Sequence, residues 1–432
     1  MTSFGGLVVF QSLFATLGIY DRLRDCCRHL KGGFYRHDIA LRCLIIHMLL
    51  GFRRLREMDH YREDPMVVRA AGLRRLPSVP TLSRLLASMD DRAVEKLGAQ
   101  NERLVLGRLT TEGPRTVTLD FDGTVLSTTR HAEGTAVGFN KKKKGARSYY
   151  PLMCMVAQVG QVLDSLHRPG NVHDSAGSIQ FVSACVAKVR AELPCSRVEA
   201  RLDSAFFSDS MVRTLGELGV EYSISVPFER FPKLKAMIEG RKRWRPVPGS
   251  DGRMEYFEAR WKPRSWRRLG RFLFIRTRVR RQSKEPVQLD LFRPIEEGYD
   301  HKVIITNKHV AAGKVCRFHE GRGYQEKIYA ELKDQTNADY VACRRLNANK
   351  TWLSCAILTH NLARELQMRA DPPSRGLTAG RTVQWVFQGL ATIRRTVLQR
   401  AGRLTRPQGK LTITLPDIAA FKTSLRHLLK AA

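Results

Sequence analysis

At Gly113-Pro114 the hydrophobic period of this chain changes, and no other feature limits its fold as much. Before that point Ile39, Leu41, Cys43, Leu44, His47 and Met48 recur at near-helical spacing, ending in the proline-marked turn LRRLPSVPTLSRLL. Thr81 or Ser83 is expected to cap a following helix, which either lies in a DNA groove through Arg84 or belongs to an ordinary helical subdomain. After that point RTVTLDFDGTVL puts Val117, Leu119 and Phe121 on one face and Thr118, Asp120 and Asp122 on the other. That alternation predicts a strand with acids on its functional side. Further strands are expected at about 149–160, at 197–202 and near Tyr222 to Val226, with a helix at about 175–192. Strands alternating with helices make a layered α/β core.

Residues 227–300 break this rhythm with Arg, Trp and Pro and short β-like runs such as RFLFIRTRV, predicting a β-rich insertion. Helical spacing returns at 322–335 and 348–370, and PPSRG opens a basic C-terminal region. The expected division is a helical DNA-binding region at 1–112, a core at 113–226, the insertion at 227–300, the rest of the core at 301–370 and a tail at 371–432.

Charge narrows the partners. Lys and Arg total 74 against 41 Asp and Glu, a formal net charge of +33, as expected of a nucleic-acid binder. The longest apolar run, Ile39 to Phe52, contains Arg42 and His47 and falls short of the ~20 residues of a spanning helix, so it reads as a buried helix and no membrane is expected. Nine cysteines without a CxxC pair read as core fillers in a reducing compartment, and the N-terminal apolar stretch lacks the basic region of a signal peptide, so the expected location is cytoplasmic, at the nucleoid when DNA-bound.

Against this positive charge three acids stand out. Asp122 lies in LDFDGTVL. Asp203, in ARLDSAFFSD, falls at the carboxyl end of the strand RVEARL, where ligands bind in open α/β sheets, although an Asp there also caps the segment from Ser208. Glu326 lies in FHEGRGYQEKIYAELKDQ, where Arg322, Glu326 and Lys333 share one helical face. A carboxylate flanked by cations suits a metal-bound phosphodiester, while a salt-bridged surface helix is the bland alternative. DxDGT is also the nucleophile motif of haloacid-dehalogenase-type phosphatases, in which Asp120 would attack phosphate, but no paired-aspartate metal loop follows it.

Together DFDGT at 120–124, RLDS at 201–204 and R-x3-E-x6-K at 322, 326 and 333 resemble the three acidic motifs of DDE insertion-sequence transposases with an RNase H-like core and a Tyr-Arg-Glu-Lys signature. GFNKKKKGARSYYPL, RPGNVHDSAG, LLGFRRLREMDHYREDP and LPSVPTLSRLL look more closely like the insertion-sequence family numbered thirteen-eighty. The resemblance implies that Asp122, Asp203 and Glu326 bind two Mg²⁺ ions, for which Mn²⁺ can substitute, with Asp120 the alternative first acid. It also implies that Arg322 and Lys333 contact DNA near the scissile phosphate. His319 stands where the signature has Tyr, and it too can donate a hydrogen bond. The insertion of this class supports hairpin formation, making Trp244, Trp261 and Trp266 candidates to stack on a displaced base or else core residues. Lys141, Lys142, Lys143 and Lys144 read as a phosphate-contacting loop or a solvated turn, and His173 either as a residue near the metals or as one that orders its loop through backbone hydrogen bonds. The implied reaction cuts element ends at their terminal repeats and joins them to target DNA by two-metal phosphoryl transfer, with a dimer in the DNA complex. The competing readings are the phosphatase and an inactive, DNA-binding relic.

Overall fold

The computed structural model describes residues 1–138, 140, 143–172, 176–279, 298–374 and 382–432. The N-terminal region folds as helices α1 (Val8–Thr16), α2 (Ile19–Cys27), α3 (His37–Leu50), α4 (Pro65–Ala70), α5 (Val79–Ala87) and α6 (Asp91–Glu112). Every residue of α3 is buried, and several of its polar side chains find partners inside the protein. Arg42 donates to Asp38 at 2.6 Å and lies over the Tyr20 ring, while His47 Nδ1 meets Tyr61 Oη at 2.6 Å. Among the described residues no helix is long and apolar enough to cross a membrane. Helix α5 begins earlier than its sequence suggests, because Ser78 accepts from the Thr81 amide and caps it, and Arg84 is exposed. Helix α6 stops at Gly113, whose left-handed φ of 54° is costly for a residue with a Cβ.

Strand β1 (Thr116–Gly123) then enters the sheet, followed by a small side sheet of β2 (Leu126–Thr128), β3 (Ala136–Val137) and β4 (Arg147–Tyr149). The strand expected at 149–160 is shorter, β5 (Leu152–Val156), and the chain then turns through Gly160 into a further strand, β6 (Gln161–Leu166). Helix α7 (Ser178–Glu192) leads to β7 (Arg197–Leu202), and α8 (Asp209–Glu217) leads to β8 (Glu221–Val226). Helix α9 (Pro232–Glu239) precedes β9 (Arg245–Pro246), β10 (Met254–Trp261), β11 (Gly270–Arg278) and β12 (Tyr299–Thr306). Helices α10 (Ala312–Glu320), α11 (Gly323–Gln335) and α12 (Leu346–Ala370) follow, then α13 (Leu390–Ile393), the hairpin β13 (Arg403–Thr405) and β14 (Thr412–Thr414), and α14 (Ala419–Ala431).

The main sheet has nine strands in the order β6-β5-β1-β7-β8-β12-β11-β10-β9, with β1, β7 and β8 parallel. The region expected to form a separate β insertion instead prolongs this sheet: β12 pairs antiparallel with β8, and β11 and β10 continue from it. Each strand of that extension satisfies its neighbour's backbone, so its described strands are continuous with the main sheet. Trp261 and Trp266 belong to its core. Trp261 packs edge-on to Phe231 and Phe272, and Trp266 lies against Phe207.

One sheet face is apolar, with Leu119, Phe121, Ala200, Leu202, Ile224, Val303 and Ile305 packed with residues of α7, α8 and α9. On the other face Ile304, Leu273 and Ile275 meet α10, while Met153, Met155 and Val162 meet a core that includes α11 and α12. Between these clusters the same face carries a polar row. The terminal regions are not separate bodies: α1 to α5, α12 and α14 share a single apolar core.

Burial holds His47 and His167 neutral, with pKa values pushed down to about 4, and His360 to about 3, against an ordinary 6.5. The unfolded chain therefore binds protons below pH 6.5 that the folded chain refuses until pH 3–4. Stability is complete above 6.5 and falls through that window by up to about 1.4 kcal/mol per pH unit per histidine. Urea unfolding at pH 7.5, 5.5 and 4.5 is expected to show a steadily falling midpoint; an unchanged midpoint would contradict this assignment.

Candidate active site

The site is set by the register of two parallel strands. Asp120 of β1 is opposite Arg201 of β7, and Phe121 is opposite Leu202. Carried one residue further, the register puts Asp122 level with Asp203, at the carboxyl ends of both strands and on the polar face. The alternative use of Asp203 as the cap of α8 does not arise, since Ser208 accepts from the Met211 amide and fills that role. Asp203 instead caps the short 3₁₀ turn Ser204–Phe206, its Oδ1 accepting from the Ser204 amide at 2.6 Å. Asp122 Oδ1 likewise accepts from the Gly123 amide at 2.8 Å. A Cβ at position 123 would lie 2.5 Å from Tyr150 Cζ and Oη, so any other residue there would have to displace that ring.

Beneath these carboxylates lies a buried ion pair. Asp120 and Arg201 are both 0% exposed, and Arg201 grips Asp120 with two bonds of 2.5 and 2.7 Å. A third bond, 3.0 Å to the Phe318 carbonyl, ties the strands to α10, and a fourth, 3.3 Å to Thr382 Oγ1, ties them to the segment after α12. The guanidinium also lies 5.3 Å from the centre of the Phe318 ring. The link from α10 to α11 passes so close above that a Cβ on Gly321 would stand 2.1 Å from Arg201 Nη1. Glycine is required there by the close approach.

That link delivers Arg322 to the strand ends. Its Nη1 is 3.6 Å from Asp122 Oδ2 and its Nη2 is 3.9 Å from Asp203 Oδ1, so one guanidinium faces both aspartates. Glu326 is one turn further along α11 and exposed, and Lys333 is half-buried two turns beyond. The helix is thus no simple salt-bridged surface element: Arg322 turns across to the sheet, and Glu331 pairs with Arg364 of α12. Among the described residues no three Asp, Glu, His or Cys side chains converge closely enough to hold a metal ion. Asp122 and Asp203 nonetheless fit a magnesium-type ion in kind, being hard oxygen donors side by side, already drawn toward one shared cation.

A further charged residue, without a motif in the sequence to mark it, belongs to this setting. Lys302 of β12 is exposed, yet desolvation and then the charge of Arg322 lower its pKa, while Asp203, Glu320 and Glu326 act to raise it. It stands between His301 and the apolar run Val303-Ile304-Ile305, so strand pairing is what reveals it.

Other expected site residues lie elsewhere. His319 is 1% exposed, with Nδ1 and Nε2 each 2.9 Å from the hydroxyls of Ser223 and Ser225. Both ring nitrogens serve to hold α10 on β8, and burial depresses its pKa well below the usual range. It is not placed to contact DNA. Nor is Trp261, whose ring is core; Trp244 is half-buried beneath Arg276. Lys143 and Lys144 are exposed, on the loop before β4, whereas Lys141, Lys142 and His173 lie outside the described residues.

The site thus consists of two aspartates at adjacent parallel strand ends of a mixed sheet, faced by one arginine from the link between α10 and α11. The chain belongs to the DDE transposases: all of it, residues 1–432, matches the family described as transposase DDE domain, group 1. Among solved structures it is similar to the piggyBac transposase synaptic complex with hairpin DNA, at 12% identity and a TM-score of 0.44, covering 98% of this chain and 84% of that one. It is also similar to the Mos1 transposase paired-end complex with left transposon end, at 15% identity and a TM-score of 0.18, covering 38% and 55%. Comparison with curated protein sequences finds no match.

Arg201→Ala would leave Asp120 buried without its partner, at a cost of about 3–5 kcal/mol. Chemical denaturation is expected to show that loss, and Arg201→Lys, which cannot reproduce the bidentate grip, is expected to recover only part of it. Wild-type stability in Arg201→Ala would contradict the role given to the pair.

Proposed function

We propose that this chain is a DNA transposase that cuts the ends of an insertion sequence and joins them to target DNA by metal-dependent phosphoryl transfer. The observation that carries the proposal is the placement of Asp122 and Asp203 at adjacent strand ends, both facing Arg322, with Glu326 one turn along the same helix. The strand order β6-β5-β1-β7-β8, with β5 antiparallel to β1 and β7 and β8 parallel to it, supports reading this half of the sheet as an RNase H-like core.

In this reading Asp122, Asp203 and Glu326 hold two magnesium ions, or manganese in their place. Bound there, such ions supply Lewis acidity at the phosphodiester and activate the attacking oxygen. The chain's own contribution is placement and charge. Asp120 and Arg201 fix the strand ends from below. Arg322 and Lys333 neutralise phosphate oxygens on either side of Glu326. Lys143 and Lys144, exposed on their loop, add contacts to the DNA backbone. Synapsis of two element ends makes a dimer the working form on DNA, and a bacterial nucleoid is the setting in which it acts.

The phosphatase reading requires Asp120 to attack phosphate. Its two carboxylate oxygens are instead buried and both engaged by Arg201, which speaks against that role.

The test is strand cleavage of DNA bearing the coding region's own flanking ends, with Mg²⁺ or Mn²⁺. Wild type is expected to nick it, and Asp122→Asn, Asp203→Asn and Glu326→Gln to lose cleavage by at least about 10³-fold while still binding DNA. Cleavage that survives in these variants would mean that other acids do the work. If eight phosphates are neutralised, affinity should also fall about 10³–10⁵-fold between 50 and 200 mM salt, and a flat salt response by anisotropy would contradict DNA as the partner.

A further inference from the structure

We infer that Lys302 is a phosphate-binding residue of the catalytic cleft, gripping the DNA strand from the β12 side while Arg322 grips it from the α11 side. The inference rests on the transposase reading above and adds to it a residue outside the family signature.

Strand alternation fixes its face. On β12, Val303 and Ile305 enter the core shared with α7 and α8, whereas Ile304 packs beneath α10. Lys302, two residues before Ile304, is therefore on the α10 side, the face that carries Asp120, Asp122, Arg201, Ser223 and Ser225.

Register fixes its height. Val303 pairs with Val226 and Ile304 with Ser225. Leu202 pairs with Ile224, so one step on, Asp203 is level with Ser225. Lys302 falls one pair beyond Val226, just past the carboxyl end of β8. It is thus on the same edge as Asp122 and Asp203, two strands across from Asp203, a lateral distance of roughly 10 Å. Arg322, Asp203, Glu320 and Glu326 are the charges that act on it. They come from the segment after β7, the end of α10 and the start of α11, so the ammonium faces the centre of the site.

A structural lysine in this sheet looks different. Lys308, just past the other end of β12, is buried and clasped by Glu199 at 2.5 Å and Glu221 at 2.6 Å. Lys302 is exposed, and among the described residues it has no carboxylate within ion-pair distance. An exposed cation kept near two candidate metal ligands, but committed to neither, suits a polyanion that passes over both. Its side chain is a flexible point charge with three donors, able to follow a backbone phosphate as the strand shifts.

The experiment compares wild type with Lys302→Met, Lys302→Gln and Lys302→Arg on flanking-end DNA. Affinity is measured against salt by anisotropy in Ca²⁺, and single-turnover cleavage in Mg²⁺. One lost phosphate contact is expected to reduce the magnitude of the log affinity against log salt slope by about 0.9 in the Met and Gln variants and to slow cleavage at least tenfold, with both recovered in the Arg variant. A purely structural lysine would lower the unfolding midpoint and leave the slope alone. An unchanged slope and rate in Lys302→Met and Lys302→Gln, with wild type cleaving, would overturn this inference and leave the transposase reading standing. Wild type that neither binds in a salt-dependent way nor cleaves would overturn both.

Discussion

The ion pair of Asp120 and Arg201 is the constraint on which the arrangement of the site depends. Taking two charges out of water is expensive, and only a bidentate geometry with the remaining donors satisfied offsets it. Arg201 meets that demand by engaging four groups at once: both Asp120 oxygens, the Phe318 carbonyl and the Thr382 hydroxyl. These groups come from β1, α10 and the segment after α12, so one side chain joins strand, helix and C-terminal segment. Leaving any of them unpaired in the interior would be costly, and the pair therefore fixes their relative positions more firmly than apolar packing alone.

The consequences run upward to the strand ends. With Asp120 and Arg201 locked in register, Asp122 and Asp203 must emerge side by side. With α10 held above Arg201, the Gly321 link must bring Arg322 over them. His319 reinforces the same docking through Ser223 and Ser225. In a protein of net charge +33, two neighbouring carboxylates are the local exception.

Much of this was legible in the sequence, for reasons that can be named. The alternation of VTLDFD marked β1, because half-buried strands have a period of two, and RVEARL marked β7 to the residue. The same period could not separate Asp120 from Asp122, since both lie on one face. Depth along the strand separates them, and depth appears only once Arg201 is paired opposite Asp120. Tryptophans and arginines between 244 and 279 resemble a separate module in composition, yet pairing of β11 with β12, and of β12 with β8, joins their strands to the main sheet. Likewise nothing local links residues 1–87 to α12 and α14, because their shared core is built from contacts distant in sequence. His319 occupies a signature position but faces inward, and Lys302 lacks a signature but faces the site: position within a motif does not fix the direction of a side chain.

The most direct test of the account is whether Asp122, Asp203 and Glu326 surround one divalent site. Fe²⁺ bound in place of Mg²⁺, with ascorbate and peroxide, generates hydroxyl radicals that cut the nearby backbone. The account predicts protein fragments ending near residues 122, 203 and 326 together, suppressed by excess Mg²⁺ and lost in Asp122→Asn. Cuts clustered elsewhere, or near only one of the three, would contradict it.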